Sequence, residues 1–97
     1  LGKINFDLKK LDGAILNFSK AINYNPDYVD AFLNRGLARY ELNDIMGSIE
    51  DYDKVIELDK KNIEAYKNRI EAKARLGKIC EIEEDLKIYK ILTNNAN

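Results

Sequence analysis

Along this chain apolar side chains return every three or four positions in short blocks, and each block stops at a polar or turn-forming residue. Between Phe32 and Leu42 the apolar positions follow helical spacing, with Ala31 and Ala38 as small neighbours. Asn43 comes next, a residue that tolerates the left-handed conformation ending many helices, and Asp44 is placed to cap the helix that follows. That second helix runs through Ile45, Ile49, Tyr52, Val55 and Ile56. Gly77 occupies the equivalent turn further on, and Pro26 falls where it cannot extend the preceding helix. The pattern predicts helices over about 1–8, 12–23, 28–42, 45–58, 62–76 and 79–92, then a frayed polar tail, 93–97.

The blocks are copies of one another. A shift of 34 residues carries Gly2 onto Gly36, Leu8 onto Leu42 and then Leu76, Gly13 onto Gly47, Ile15 onto Ile49, and Ile22 onto Ile56. Similar residues share further columns: Phe6 with Tyr40; Leu11 with Ile45 and Ile79; Phe18 with Tyr52 and Leu86. Ala31 meets Ala65, Phe32 meets Tyr66 and Asn34 meets Asn68, with no gap anywhere. A constant period is what stacked helix pairs require, because each pair buries one face on its neighbour and the same packing position returns once per unit. The expected fold is an all-α solenoid of antiparallel helix hairpins. Its units are a partial repeat, 1–28, a complete one, 29–62, and a degenerate one, 63–92.

Composition narrows the function. Lys and Arg number 16 against 17 Asp and Glu, without the basic excess that nucleic-acid binding normally needs. The charge is segregated: residues 41–59 carry seven acidic side chains against Lys54, and residues 60–78 carry seven basic ones against Glu64 and Glu71. There is no histidine, and the single cysteine, Cys80, excludes an intrachain disulfide or a cysteine-rich zinc site. Neighbouring carboxylates such as Asp51 and Asp53, or Glu83 and Glu84, lie on second helices and read as a solvated charged face. The five glycines are scattered through the repeat and build no phosphate loop. No apolar run is long enough to enter a membrane. The expectations are no enzymatic activity, no cofactor, no metal and a cytoplasmic location.

The columns resemble the tetratricopeptide repeat. Leu1–Gly2, Ala14, Phe18, Ala21 and Pro26 fit its pattern in the first unit; Phe32, Gly36, Ser48, Tyr52 and Val55 fit in the second, with Arg35 in place of a leucine. Pentatricopeptide RNA-binding arrays have a nearby period, but the small and aromatic columns fit them less well. In the third unit Ile70 replaces the glycine and Ile82 the small residue, which implies a wider hairpin. Leu1 enters the first unit late, as in a portion of a longer array.

The resemblance implies a protein-interaction scaffold whose first helices line a concave groove for a partner peptide or helix. On that geometry Phe6, Leu33, Asn34, Leu37, Tyr40, Lys67, Asn68, Glu71 and Arg75 form the expected groove, beside Asp30, Glu41 and Glu64. Asn34 and Asn68, one repeat apart, are placed to hold a ligand backbone, since an amide both donates and accepts. Leu37 and Tyr40 are placed to receive an apolar side chain. Some members grip a C-terminal carboxylate with lysine, asparagine and arginine. Here Glu64 stands where that lysine is needed and Asn68 where the arginine is, so the clamp is not expected. The alternative is a self-assembly module, a homo-oligomer packing through exposed repeat ends at the first hairpin and around Ile88, Ile91 and Leu92.

Overall fold

The computed structural model describes residues 8–96, with side chains over residues 10–94. Five α-helices follow in order: α1 (Leu8–Tyr24), α2 (Val29–Glu41), α3 (Ile45–Leu58), α4 (Ile63–Arg75) and α5 (Ile79–Ala96). Each helix packs on the next along the chain, and α2 also touches α4 directly. This is an all-α solenoid: hairpins α2–α3 and α4–α5 stack in series, with α1 laid against α2.

The turns follow from single residues. Asn43 and Gly77 take left-handed backbone conformations, φ 69° and 73°, closing α2 and α4 in the same way one repeat apart. Asp44 then caps α3 by accepting a hydrogen bond from the Gly47 amide at 3.1 Å, and Asn62 caps α4 by accepting from Ala65 at 2.9 Å. The repeat places Lys9 and Lys10 where Asn43 and Asp44 stand. Neither lysine favours a left-handed turn or caps a helix, and α1, described from Leu8, accordingly runs through these positions without the break expected there. The remainder of the predicted first helix, 1–8, lies outside the described residues. At the other end α5 continues to Ala96, so residues 93–96 are helical where a frayed tail was expected. The Thr93 hydroxyl donates back to the carbonyls of Tyr89 and Lys90, satisfying itself within the helix.

The core is a column of side chains where the helices meet: Phe32 and Leu33 of α2, Ile45, Tyr52 and Val55 of α3, Ala65 and Ala72 of α4. Ile22, Val29, Tyr40, Ile49, Ile56 and Leu58 pack around it. Gly36 is small for a specific reason. A Cβ there would lie 2.7 Å from Tyr52 Cε1 and 3.2 Å from Asp51 Cβ, so the α2–α3 hairpin closes only because that atom is missing. One repeat later the chain changes both partners, to Ile70 and Leu86, returning on one helix the volume removed from the other.

A second, polar column runs beside the apolar one. Asp51 of α3, 2% exposed, receives Arg35 Nε at 3.0 Å, Arg35 Nη2 at 2.8 Å and Arg39 Nη1 at 3.3 Å. Asp85 of α5, also 2% exposed, receives Arg69 Nε at 2.9 Å, Arg69 Nη2 at 2.6 Å and Lys73 Nζ at 3.2 Å. The same arginines reach back to the preceding hairpin: Arg35 Nη1 to Ser19 Oγ at 3.1 Å, and Arg69 Nη1 to Asp53 Oδ1 at 2.7 Å. Every member has its counterpart 34 positions away. Each first helix is thus tied to the second helix of its own unit and to that of the unit before. The guanidiniums also lie over aromatic rings three positions earlier, Arg35 over Phe32 and Arg69 over Tyr66, with 5.6 Å and 5.5 Å to the ring centroids. The sequence expectation that Asp51 lies on a solvated face is corrected here. It is a buried ligand of two arginines, while Asp53, Glu83 and Glu84 are exposed.

Candidate functional site: the cleft between α1 and α2

A cleft of about 390 Å³ lies between α1 and α2. Leu11, Ala14 and Phe18 of α1 form one wall at helical spacing; Asn34, Leu37, Ala38 and Glu41 of α2 form the other. The lining is apolar except for two groups, the Asn34 amide and the Glu41 carboxylate, both exposed. Apolar walls carrying a few oriented polar groups are the usual composition of a binding cleft. Leu37 is 38% exposed, a large aliphatic side chain left open to whatever enters.

The structure gives the expected groove residues different settings. Asn34 and Leu37 line the cleft, while Lys67, Glu71 and Arg75 of α4 are exposed outside its lining. Leu33 is not a groove residue: at 8% exposure it belongs to the core, because its position on α2 faces α3 and α4. Asn68 is likewise 8% exposed, with its amide nitrogen buried and without a partner among the described residues. The two asparagines are therefore equivalent in sequence and different in setting, since Asn34 opens on the cleft and Asn68 is covered by its neighbours. Tyr40 is half-buried against the core, and Arg75 lies over its ring at 5.2 Å while donating from Nη2 to Asn43 Oδ1 at 2.9 Å. That contact fastens the end of α4 to the α2–α3 turn. Phe6 lies outside the described residues.

Leu11, Ala14 and Phe18 acquire their importance from the structure, whereas Glu41 was already expected beside the groove. Their signal was available, since Leu11 and Phe18 sit in the Ile45 and Tyr52 columns, but both belong to a second helix and the groove was expected on first helices. A smaller polar recess of about 280 Å³ lies between the two hairpin turns, among Asn43, Asp44, Met46, Arg75 and Leu76. Among the described residues no group of His, Cys, Asp and Glu is arranged to hold a metal ion. No helix among them is long and apolar enough to cross a membrane. Cys80 is exposed at the start of α5.

The Tyr52 hydroxyl is held well above its ordinary range, first by burial and then by the negative charge of Glu71, with smaller contributions from Tyr40, Asp51 and Glu41. Burial works against the charge on Arg69, but the hydrogen bonds to Asp85 and Asp53 outweigh it, so this guanidinium holds its proton more tightly than a free one.

Comparison with known proteins agrees with this architecture. Residues 2–43 match a family model described as TPR repeat, and residues 29–62 match one described as tetratricopeptide repeat. No curated protein matches the chain. Among solved structures, the Arabidopsis OM64 TPR domain superposes with a TM-score of 0.80 at 28% identity, covering 87% of this chain and 69% of that one. The first TPR of Spaghetti (RPAP3), bound to the HSP90 peptide SRMEEVD, gives a TM-score of 0.81 at 25% identity, covering 90% and 71%. MamA gives 0.75 at 27% identity, covering 88% of this chain and 48% of its own. With its period, its glycine-to-tyrosine closure and two matching repeat models, this chain belongs to the tetratricopeptide repeat family.

Proposed function

We propose that the chain is a protein-interaction module that holds a partner peptide or helix in the cleft between α1 and α2. The observation that carries this is the cleft itself: apolar walls from Leu11, Phe18 and Leu37, with one amide and one carboxylate at its surface. A ligand's apolar side chain fills the space against Leu37, and Asn34 pairs with the adjacent peptide group by donating and accepting. Lys67 and Glu71 extend the contact along α4. The role is holding rather than catalysis. The Spaghetti relative, similar in fold, is bound to a peptide, which supports a peptide or protein partner for this chain as well.

The charge of the face selects the ligand. Asp30, Glu41, Glu64 and Glu71 are all exposed on α2 and α4, and Arg75 is already engaged with Tyr40 and Asn43. An acidic, carboxylate-terminated peptide meets repulsion there, so the fitting partner is neutral or basic beside its apolar anchor.

The test is affinity capture with the wild type and with Leu37→Glu, read by mass spectrometry, followed by calorimetry on the captured protein. The expected result is a partner retained by the wild type and lost by a variant of unchanged helicity. Equal capture by both would remove binding from this cleft. The peptide SRMEEVD, titrated by fluorescence polarisation, is expected to show no saturable binding.

A further inference from the structure

The outer face of α5 can be compared, column by column, with the face of α3 that α4 covers. In α3 that face consists of Ile45, Ile49, Tyr52, Asp53 and Ile56; the corresponding residues of α5 are Ile79, Glu83, Leu86, Lys87 and Lys90. Ile45 is 7% exposed and Tyr52 1%, while Ile79 is 61% and Leu86 37% exposed. Ile49 and Ile56 pack against the core cluster, to which α4 contributes Ala65 and Ala72, whereas Glu83 and Lys90 are exposed.

We infer that the outer face of α5 is a polar end to the stack, built to refuse both a further hairpin of this series and a second copy of the chain. Three changes argue for it independently. A hairpin stacked on α5 as α4–α5 stacks on α3 would cover Glu83 and Lys90 where Ile49 and Ile56 are covered now. Charges enclosed by apolar neighbours without partners oppose that contact strongly. The third change is at the polar column. Each junction in the chain places an arginine against an acceptor on the preceding second helix, Arg35 on Ser19 and Arg69 on Asp53. On α5 that acceptor position holds Lys87, which only donates and carries the same charge as the arginine it would have to receive. The apolar residues that remain, Ile79 and Leu86, have Glu83 between them along the same stripe of α5. The inference concerns the face alone and holds whatever chain follows Asn97.

Sedimentation velocity over a wide concentration range tests it, on the wild type and on Glu83→Ile/Lys87→Asp/Lys90→Ile, which restores the residue types of α3. The three positions are exposed, and circular dichroism verifies that the variant keeps its helices. The wild type is expected to show no association through α5, and the variant to shift toward twice the monomer mass as concentration rises. Failure of the folded variant to associate would overturn the inference, because the polar residues would then not be what keeps the face free. Leu86→Glu supplies the second arm. Wild-type association abolished by Leu86→Glu would also overturn it, by making α5 an interface. Association untouched by that substitution runs through another surface and leaves α5 solvated, as inferred.

Discussion

Asp51 has almost no contact with water and lies beside the buried Ser48, Tyr52 and Val55 of its helix. Two guanidiniums donate three hydrogen bonds to it, and removing the carboxylate leaves both without their principal partner. Asp51→Ala is therefore expected to cost about 3 kcal/mol in urea denaturation, with Asp85→Ala similar. Asp53, bonded to Arg69 from an exposed position, is expected to matter by less than about 1 kcal/mol. Tyr52 gives a pH dependence. The folded state holds its phenolic proton more tightly than the unfolded chain does, so its stabilising effect is intact below about pH 10 and is lost as pH rises toward the raised value. Stability should fall by about 1.4 kcal/mol per pH unit in that alkaline range from this group. Tyr52→Phe should flatten the slope, measured by urea titrations below and above the ordinary tyrosine range. These residues were hard to read in the sequence for a physical reason. Helical periodicity links positions three or four apart, but Arg35 meets Asp51 sixteen positions away, on another helix. Only the matched columns 35 and 69, 39 and 73, 51 and 85 carried the signal, and charge pairs in register resemble a solvated face until two helices are placed together.

Helices and turns were more legible, because their causes are local. The Asn43 and Gly77 turns and the Asp44 cap are each set by one residue within one turn of backbone. The continuity of α1 through Lys9 and Lys10 was missed because the repeat suggested a turn there, while these lysines supply neither ingredient of one. Hairpin closure yields a pairwise prediction. Gly36→Ala should destabilise by about 2 kcal/mol, since its Cβ would collide with the Tyr52 ring. Adding Tyr52→Leu, the residue type of the third unit, should relieve that collision. A double-mutant cycle is expected to show favourable coupling between the two changes, and simple additivity would mean that the ring is not what requires the glycine. Gly77→Ala, at φ 73°, should cost about 1 kcal/mol in thermal unfolding, with no ring to blame.

At the scale of the whole molecule, the 34-residue period contained the order of stacking and hence the side on which first helices meet. It did not contain the cleft. That depends on which copies of a column are covered: Asn34 is open while Asn68 is enclosed. Asn34 and Asn68 thus hold identical repeat positions in different surroundings. Asn34→Ala should accordingly weaken partner binding measured by calorimetry, whereas Asn68→Ala should act mainly on stability.

The polar column also bears on how such a chain can lengthen. An extra copy of residues 29–62 inserted after Asn62 would find every bond already provided. Its arginine would reach the existing Asp53, its aspartate would be enclosed by its own two arginines, and Arg69 would reach the Asp53 of the insert. Growth is thus written into the interior of the array, one unit at a time, and each duplication would add binding surface without altering either end.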